Sequence, residues 1–198
     1  MAGSVPFVGL TGGLGAGKST ALAALERLGA EVISSDQVVH DLYEEPAVRD
    51  AVVGRFGEQV APGGTVDRAE LARAAFASDD GRRWLEELIW PQVGQRIAAW
   101  RAAAEQRRPP PPATVVEVPL LFEAGHEGIY DATIAVIASE PLRARRAAAR
   151  GHVAVDERAA RQLTQDEKAA RATYVVENDG TVTDLERGLS DVLAKLTA

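Results

Sequence analysis

The sequence predicts an α/β fold, a three-layer α/β/α sandwich around a parallel sheet of about five strands. Two observations lead to this prediction. Residues 5–34 are typical of a strand, a glycine-rich loop, a helix and a second strand, and such a βαβ unit requires a parallel sheet with a right-handed crossover. Three later apolar segments predict the remaining strands, at residues 114–118, 132–137 and 174–176.

Sequence patterns divide the amino-terminal unit into a strand, a loop, a helix and a second strand. Residues 5–10 predict a short buried strand, which a glycine-rich loop follows. Leucines at helical spacing predict a helix over residues 19–28, and Gly29 is expected to end it. Residues 31–34 predict the second strand, and Asp36 lies just past its carboxyl end.

The middle of the chain predicts a helical insertion beside the sheet. Residues 37–108 are mostly helical in pattern, with an interruption near 62–64, and Asp67 and residues 78–80 are suited to cap the helices that follow them. Four prolines at 109–112 end the insertion, because neither a helix nor a central strand tolerates them.

The last third of the chain predicts three helices and the final strand. Ser139 is placed to cap an arginine-rich helix over residues 142–150, and a second polar helix is expected from about 156 to 164. After the last strand, a turn at 178–180 leads into an amphipathic terminal helix.

Composition and charge narrow the classes of function. The 198 residues include 22 Lys and Arg against 29 Asp and Glu, a formal net charge of −7 that argues against binding a nucleic-acid backbone. The absence of cysteine excludes disulfides, thiolate catalysis and cysteine-based zinc sites. Because the sequence offers neither a signal peptide nor a membrane span, we expect a cytoplasmic protein without membrane partners. We expect a monomer or a weak homo-oligomer.

The glycine-rich loop matches G-x-x-x-x-G-K-[ST] at every fixed position, from Gly12 to Ser19. Glycines let successive N–H groups turn toward an anion, and the following helix adds its positive end. Lys18 supplies a cation for the β- and γ-phosphates, and Ser19 a hydroxyl for Mg²⁺. This is a P-loop, and the predicted nucleotide-binding residues are Gly13, Leu14, Gly15, Ala16, Gly17, Lys18, Ser19 and Thr20.

Two carboxylates follow predicted strands on the edge where α/β sheets bind ligands. Asp36 is suited to accept a proton from an attacking hydroxyl or to help hold a metal; alternatively it caps a helix that starts near Gln37. Glu117 orients water on Mg²⁺ or simply faces solvent.

Four arginines give this acidic chain its densest positive group. Arg146 and Arg150 are four residues apart on one helix face, and we predict that they stabilise a phosphoryl group when a lid closes. Arg143 and Arg145 are interpreted as solvated surface charges. Arg161 and Gln165, also four apart, are expected in the other arm of the lid.

Taken together, these segments resemble the dephospho-CoA kinases over nearly the whole chain. The resemblance is carried by residues 9–20, 32–36, 64–68 and 118–123, by Leu71, Phe76, Arg146 and Arg150, and by residues 161–165 and 178–180.

The resemblance implies that the γ-phosphoryl group of ATP is transferred to the ribose 3′-hydroxyl of 3′-dephospho-CoA, giving coenzyme A in the last step of its synthesis, with Mg²⁺. It implies catalytic roles for Asp36, Lys18, Arg146 and Arg150. The acceptor-binding residues that it implies are Asp36, Pro119, Leu120, Leu121, Glu123, Arg161 and Gln165.

The resemblance also implies three parts within a single domain of residues 1–198. These are a nucleotide-binding core over about 1–36, 113–142 and 168–198, a helical acceptor-binding insertion over about 37–112, and a lid over about 143–167.

Three positions depart from the family pattern. Ser34-Ser35-Asp36 stands where Asp-Ala-Asp is usual, Trp90-Pro91 replaces His-Pro, and Ala172-Thr173 replaces Ala-Asp. Because Lys18 and Asp36 are retained, we expect an active enzyme.

Two alternatives stay open from the sequence. The chain is another P-loop kinase acting on a nucleoside, a nucleotide or a shikimate-like alcohol, with the same phosphate chemistry and a different acceptor. Otherwise it is a nucleotide-binding switch without catalysis, although the Asn-Lys-x-Asp segment that reads guanine is absent from the sequence.

Overall fold

The computed structural model describes residues 4–149 and 162–197, in which five parallel strands form one sheet in the order β2-β3-β1-β4-β5. The strands are β1 (Phe7–Gly12), β2 (Glu31–Ser34), β3 (Thr114–Glu117), β4 (Ala132–Ile137) and β5 (Tyr174–Glu177). The predicted α/β class with a five-stranded parallel sheet is confirmed.

Eight α-helices are described along the same residues. They are α1 (Lys18–Arg27), α2 (Ser35–Glu44), α3 (Pro46–Phe56), α4 (Arg68–Phe76), α5 (Asp79–Glu105), α6 (Glu140–Ala149), α7 (Gln165–Arg171) and α8 (Val182–Leu196). Short 3₁₀ turns occur at Glu58–Val60, Pro62–Gly64 and Glu127–Ile129. Among the helices described, none has the length and apolar character needed to cross a membrane.

The described residues belong to two units, one of Met1–Ser34 with Arg101–Ala198 and one of Ser35–Trp100. The first unit contains the sheet. Because successive side chains of a strand point to opposite faces, Val8 and Leu10 of β1 share one face, where they pack in a buried cluster with residues of α1 and α8.

The opposite face of β1 carries Gly9 and Thr11. A Cβ on Gly9 would collide with the Leu121 side chain and would lie in tight contact with the Tyr130 ring. Burial raises the pKa of the Tyr130 hydroxyl to about 12. The Thr11 hydroxyl donates a hydrogen bond to the Pro119 carbonyl at 3.2 Å, so this face of the strand holds the segment that follows β3.

The second unit is helical, and its predicted caps are present. Asp67 Oδ1 accepts hydrogen bonds from Ala69 N at 2.8 Å and Glu70 N at 3.0 Å, which starts α4. Ser78 Oγ accepts from Gly81 N at 3.0 Å at the start of α5. These side chains satisfy N–H groups that a helix leaves unpaired in its first turn.

A polar helix was predicted over residues 156–164. The prediction is wrong for residues 162–164, which are not helical, and residues 156–161 lie outside the described residues. A helix begins instead at Gln165, because Thr164 and Glu167 cap each other: Thr164 Oγ1 accepts from Glu167 N at 3.2 Å, and Glu167 Oε2 accepts from Thr164 N at 2.7 Å. The bonds to Thr164 lower the pKa of Glu167.

One departure from the family pattern, Thr173, has a structural role. Its hydroxyl accepts a hydrogen bond from Thr133 N at 3.0 Å, and its own N–H donates to Thr133 Oγ1 at 3.0 Å. This reciprocal pair joins the start of β5 to β4.

Lys168 of α7 is fully buried, and its ammonium donates to the Pro119 carbonyl at 2.7 Å and lies 3.0 Å from Glu123 Oε1. Glu123 Oε1 also accepts from Leu163 N at 2.9 Å. The pair therefore ties α7 and the chain before it to the segment after β3.

We predict that Lys168→Met lowers the free energy of unfolding by about 3–5 kcal/mol, because it leaves a buried carboxylate without its cation. Adding Glu123→Gln should recover much of the loss, since the uncompensated charge is then gone. Urea denaturation measures both values. Lys195→Met, at an exposed lysine of α8, is the matched control. A loss in Lys168→Met as small as that of the control would contradict the prediction.

Candidate active site

The P-loop, residues 13–17, connects β1 to α1 and has two glycines that no other residue can replace without strain. Gly15 has φ 75° and Gly17 has φ 96°, both in the left-handed region. A Cβ on Gly15 would collide with the main chain of Arg143, and one on Gly17 with the side-chain amide of Asn178. The loop is thus held against α6 on one side and the residue after β5 on the other.

The start of α1 lacks the side-chain cap that three other helices have. Asp67, Thr164 and Thr181 cap α4, α7 and α8 with hydrogen bonds from their side chains. Helix α1, all of it within the described residues, starts after Gly17 with neither a side-chain cap nor an acidic residue in its first turn. Its N–H groups and positive dipole end are left to an anionic ligand, which fits the phosphates of a nucleotide.

Lys18 and Ser19 occupy the first turn of α1. Lys18 Nζ donates to the carbonyls of Gly12 at 3.1 Å and Gly13 at 3.4 Å, so the ammonium lies over the loop. The side chain of Ser19 is exposed. Of the described residues, no group of three or more His, Cys, Asp or Glu is arranged to hold a metal ion.

Asn178, just after β5, holds the P-loop through its side chain. It was not among the predicted site residues. Its side chain is only 4 % exposed, and Nδ2 donates to the Ala16 carbonyl at 2.8 Å. Its own carbonyl accepts from Arg146 NH1 at 3.1 Å, which brings Arg146 to the P-loop. Only the resemblance at residues 178–180 marked this position in the sequence.

The interpretation of Arg143 as a solvated surface charge is wrong. Its Nε donates to the Leu14 carbonyl at 3.0 Å, and its guanidinium covers Gly13. Arg145 is exposed, as predicted. Arg143 precedes Arg146 by three residues, so helical spacing places the two on one face of α6. Only the packing of α6 shows that this face meets the loop.

The segment after β3 divides its residues between surface and core. Leu120 is 40 % exposed, whereas Leu121 is fully buried against Gly9, so the Leu121 side chain belongs to the core. Glu123 Oε1 forms an ion pair with Lys168 and accepts a hydrogen bond from Leu163 N. Its buried Oε2 has no hydrogen-bond partner among the described residues.

The remaining predicted residues lie in three places. Gln165 Oε1 accepts from Ala138 N at 3.1 Å, just beyond the end of β4. Asp36 is exposed and is the second residue of α2; the capping interpretation is wrong because the helix begins at Ser35. Arg150 and Arg161 lie outside the described residues.

Glu117 does not face solvent, so that alternative is wrong. It is buried at the end of β3, in register with Leu10 of β1 and Ser34 of β2.

Comparison with known proteins gives one consistent result. The family model for dephospho-CoA kinase matches residues 6–184. The dephospho-CoA kinase of Thermus thermophilus is 36 % identical over 194 residues, covering 96 % of this chain and 92 % of that protein. Among solved structures, TT1252 from Thermus thermophilus has a TM-score of 0.81 and 35 % identity, covering 99 % of this chain and 100 % of that chain.

The dephospho-CoA kinase from Campylobacter jejuni shares the fold, with a TM-score of 0.68, 22 % identity and 96 % of both chains covered. With the family model matched over residues 6–184, a relative that is 36 % identical over 194 residues, and a P-loop at the uncapped start of α1, the chain belongs to the dephospho-CoA kinase family.

Proposed function

We propose that the chain transfers the γ-phosphoryl group of ATP to the 3′-hydroxyl of 3′-dephospho-CoA, giving ADP and coenzyme A. The observation that carries this proposal is the P-loop at an uncapped helix start in a member of this family. The predicted residues 13–20 would bind the phosphates of ATP. Ser19 would hold Mg²⁺, which when bound neutralises charge on the phosphate oxygens.

The roles of the chain's own residues follow from charge and proton transfer. Asp36 accepts the proton of the 3′-hydroxyl, whose oxygen forms the new bond to the γ-phosphorus as the bond to the ADP oxygen breaks. Lys18, Arg146 and Arg150 provide cations for the charge on the phosphoryl group. The exposed start of α2 supports the role of Asp36, and the hydrogen bond of Arg146 to Asn178 supports a place near the loop.

Acceptor binding is proposed for the segment after β3 and for the lid. The exposed side chain of Leu120 supports a contact with the acceptor there, with Pro119 beside it. Buried Leu121 and paired Glu123 would act by shaping that segment, whereas Arg161 and Gln165 stay predictions. The helical unit Ser35–Trp100 supports an acceptor-binding insertion over about residues 37–112. The lid, the cytoplasmic location and the state of association also stay predictions.

The reaction is tested by measuring ADP release from Mg·ATP with 3′-dephospho-CoA, AMP, adenosine or shikimate as acceptor. We expect turnover only with 3′-dephospho-CoA and coenzyme A as product. Turnover with another acceptor would reassign the acceptor groove while keeping the P-loop chemistry. ATP binding without turnover on any acceptor would favour a nucleotide-binding switch.

We predict that Asp36→Asn lowers kcat by roughly 10²–10⁴-fold, because the amide cannot accept the proton of the hydroxyl. Nucleotide binding should be retained. Asp41→Asn, at an exposed carboxylate of the same helix, is the control and should turn over like the unmodified chain. Equal rates in the two variants would remove Asp36 from the chemistry.

We predict that Lys18→Ala lowers kcat by at least roughly 10²-fold, because the cation facing the developing charge is lost. Steady-state turnover at saturating ATP and 3′-dephospho-CoA measures this loss. Lys195→Ala, an exposed lysine remote in sequence from the loop, is the control. Retained activity in Lys18→Ala would contradict the role of the P-loop.

A further inference from the structure

We propose that Arg143, which the sequence alone suggested to be a solvated surface charge, is an additional ATP-binding residue. This proposal rests on the proposed function. Three contacts define its place. Nε donates to the Leu14 carbonyl at 3.0 Å, NH1 donates to Glu140 Oε2 at 2.8 Å, and NH2 lies 3.0 Å from where a Cβ of Gly13 would be. The side chain is 21 % exposed, so it lies on the loop rather than in solvent.

The position of Arg143 is built into the fold. Arg143 N and Leu142 N both donate to the Ser139 carbonyl at 3.0 Å, and Ser139 N donates to Asp179 Oδ1 at 2.6 Å. The main chain of Arg143 itself packs against Gly15, where a Cβ would collide with its carbonyl oxygen. The start of α6 and the P-loop therefore lie close together, and this packing places the Arg143 guanidinium against the loop.

The chemistry of the group fits a phosphate chain. A guanidinium offers five N–H donors in a plane, which match the oxygens of a phosphate, and it stays charged at any physiological pH. Because Nε and NH1 are the atoms that bond within the described residues, NH2 beside Gly13 faces the loop that would hold the phosphates. The pair with Glu140, whose side chain is 77 % exposed, is weak enough to be exchanged for a phosphate oxygen.

Arg143 also complements the other cations of the loop. Arg146 lies at the opposite end, bonded to the Asn178 carbonyl behind Gly17, and Lys18 lies over Gly12 and Gly13. In a chain with a net charge of −7, a triphosphate needs cations concentrated at its own site. Arg143 adds such a cation at the Gly13–Leu14 end of the loop.

The test is equilibrium binding of ATP to the full chain in the absence of acceptor. Because this measurement requires no turnover, a wrong assignment of Arg143 is distinguishable from a wrong assignment of the reaction. Arg143→Ala should raise the Kd for ATP by roughly 10–100-fold, the loss expected for a hydrogen bond to a charged group. Arg145→Ala is the matched control: the same residue type, exposed, on the same helix. Its Kd should equal that of the unmodified chain.

Two further variants separate charge from positioning, and they also serve if Arg143→Ala does not fold. Arg143→Lys keeps the charge and should retain part of the affinity, whereas Arg143→Gln keeps a donor for the Leu14 carbonyl and should bind as weakly as the alanine variant. The affinity of the unmodified chain for ATP should also fall more steeply with salt concentration than that of Arg143→Ala. Unchanged affinity in Arg143→Ala, or full affinity in Arg143→Gln, would overturn the proposal.

Discussion

The close packing of α6 and of the Asn178 side chain against the P-loop is the constraint on which the site depends. Gly15 lies against the main chain of α6, and Gly17 against the side chain of Asn178, so both positions exclude a Cβ. The absence of these two side chains lets α6 and Asn178 contact the loop from two sides, in the left-handed backbone conformation that glycine adopts without strain. These contacts are formed by residues far away in sequence, since Asn178 bonds to Ala16 across 162 positions.

A second constraint acts on the other side of β1. Buried Lys168 bonds to the Pro119 carbonyl and pairs with Glu123, while Thr11 bonds to the same carbonyl from the strand. The segment that carries exposed Leu120 is therefore held both through the Pro119 carbonyl and through the side chains of Leu121 and Glu123. A buried ion pair contributes little net stability, but it specifies one position for the groups that it joins.

Charge is distributed in keeping with a phosphate-transferring enzyme. The chain is acidic overall, yet three cations, Lys18, Arg143 and Arg146, have hydrogen bonds to the P-loop or to the residue that supports it. The start of α1 adds a positive dipole end without a compensating carboxylate in its first turn. Local concentration of positive charge is what an acidic protein needs to bind ATP while staying acidic elsewhere.

The sequence by itself determined the α/β class, the parallel sheet and the P-loop, because these depend on local patterns: strand-sized apolar runs, helical periodicity and the fixed spacing of glycine, lysine and serine. It also located the caps Asp67 and Ser78, since a cap acts on the N–H groups next to it. Only the tertiary structure decided that Arg143 lies on the loop while Arg145 is exposed, that Leu121 is core while Leu120 is exposed, and that Glu123 pairs with Lys168. Each of those outcomes depends on which face of a helix or segment packs against residues that are distant in sequence. Local periodicity carries no information about such long-range contacts.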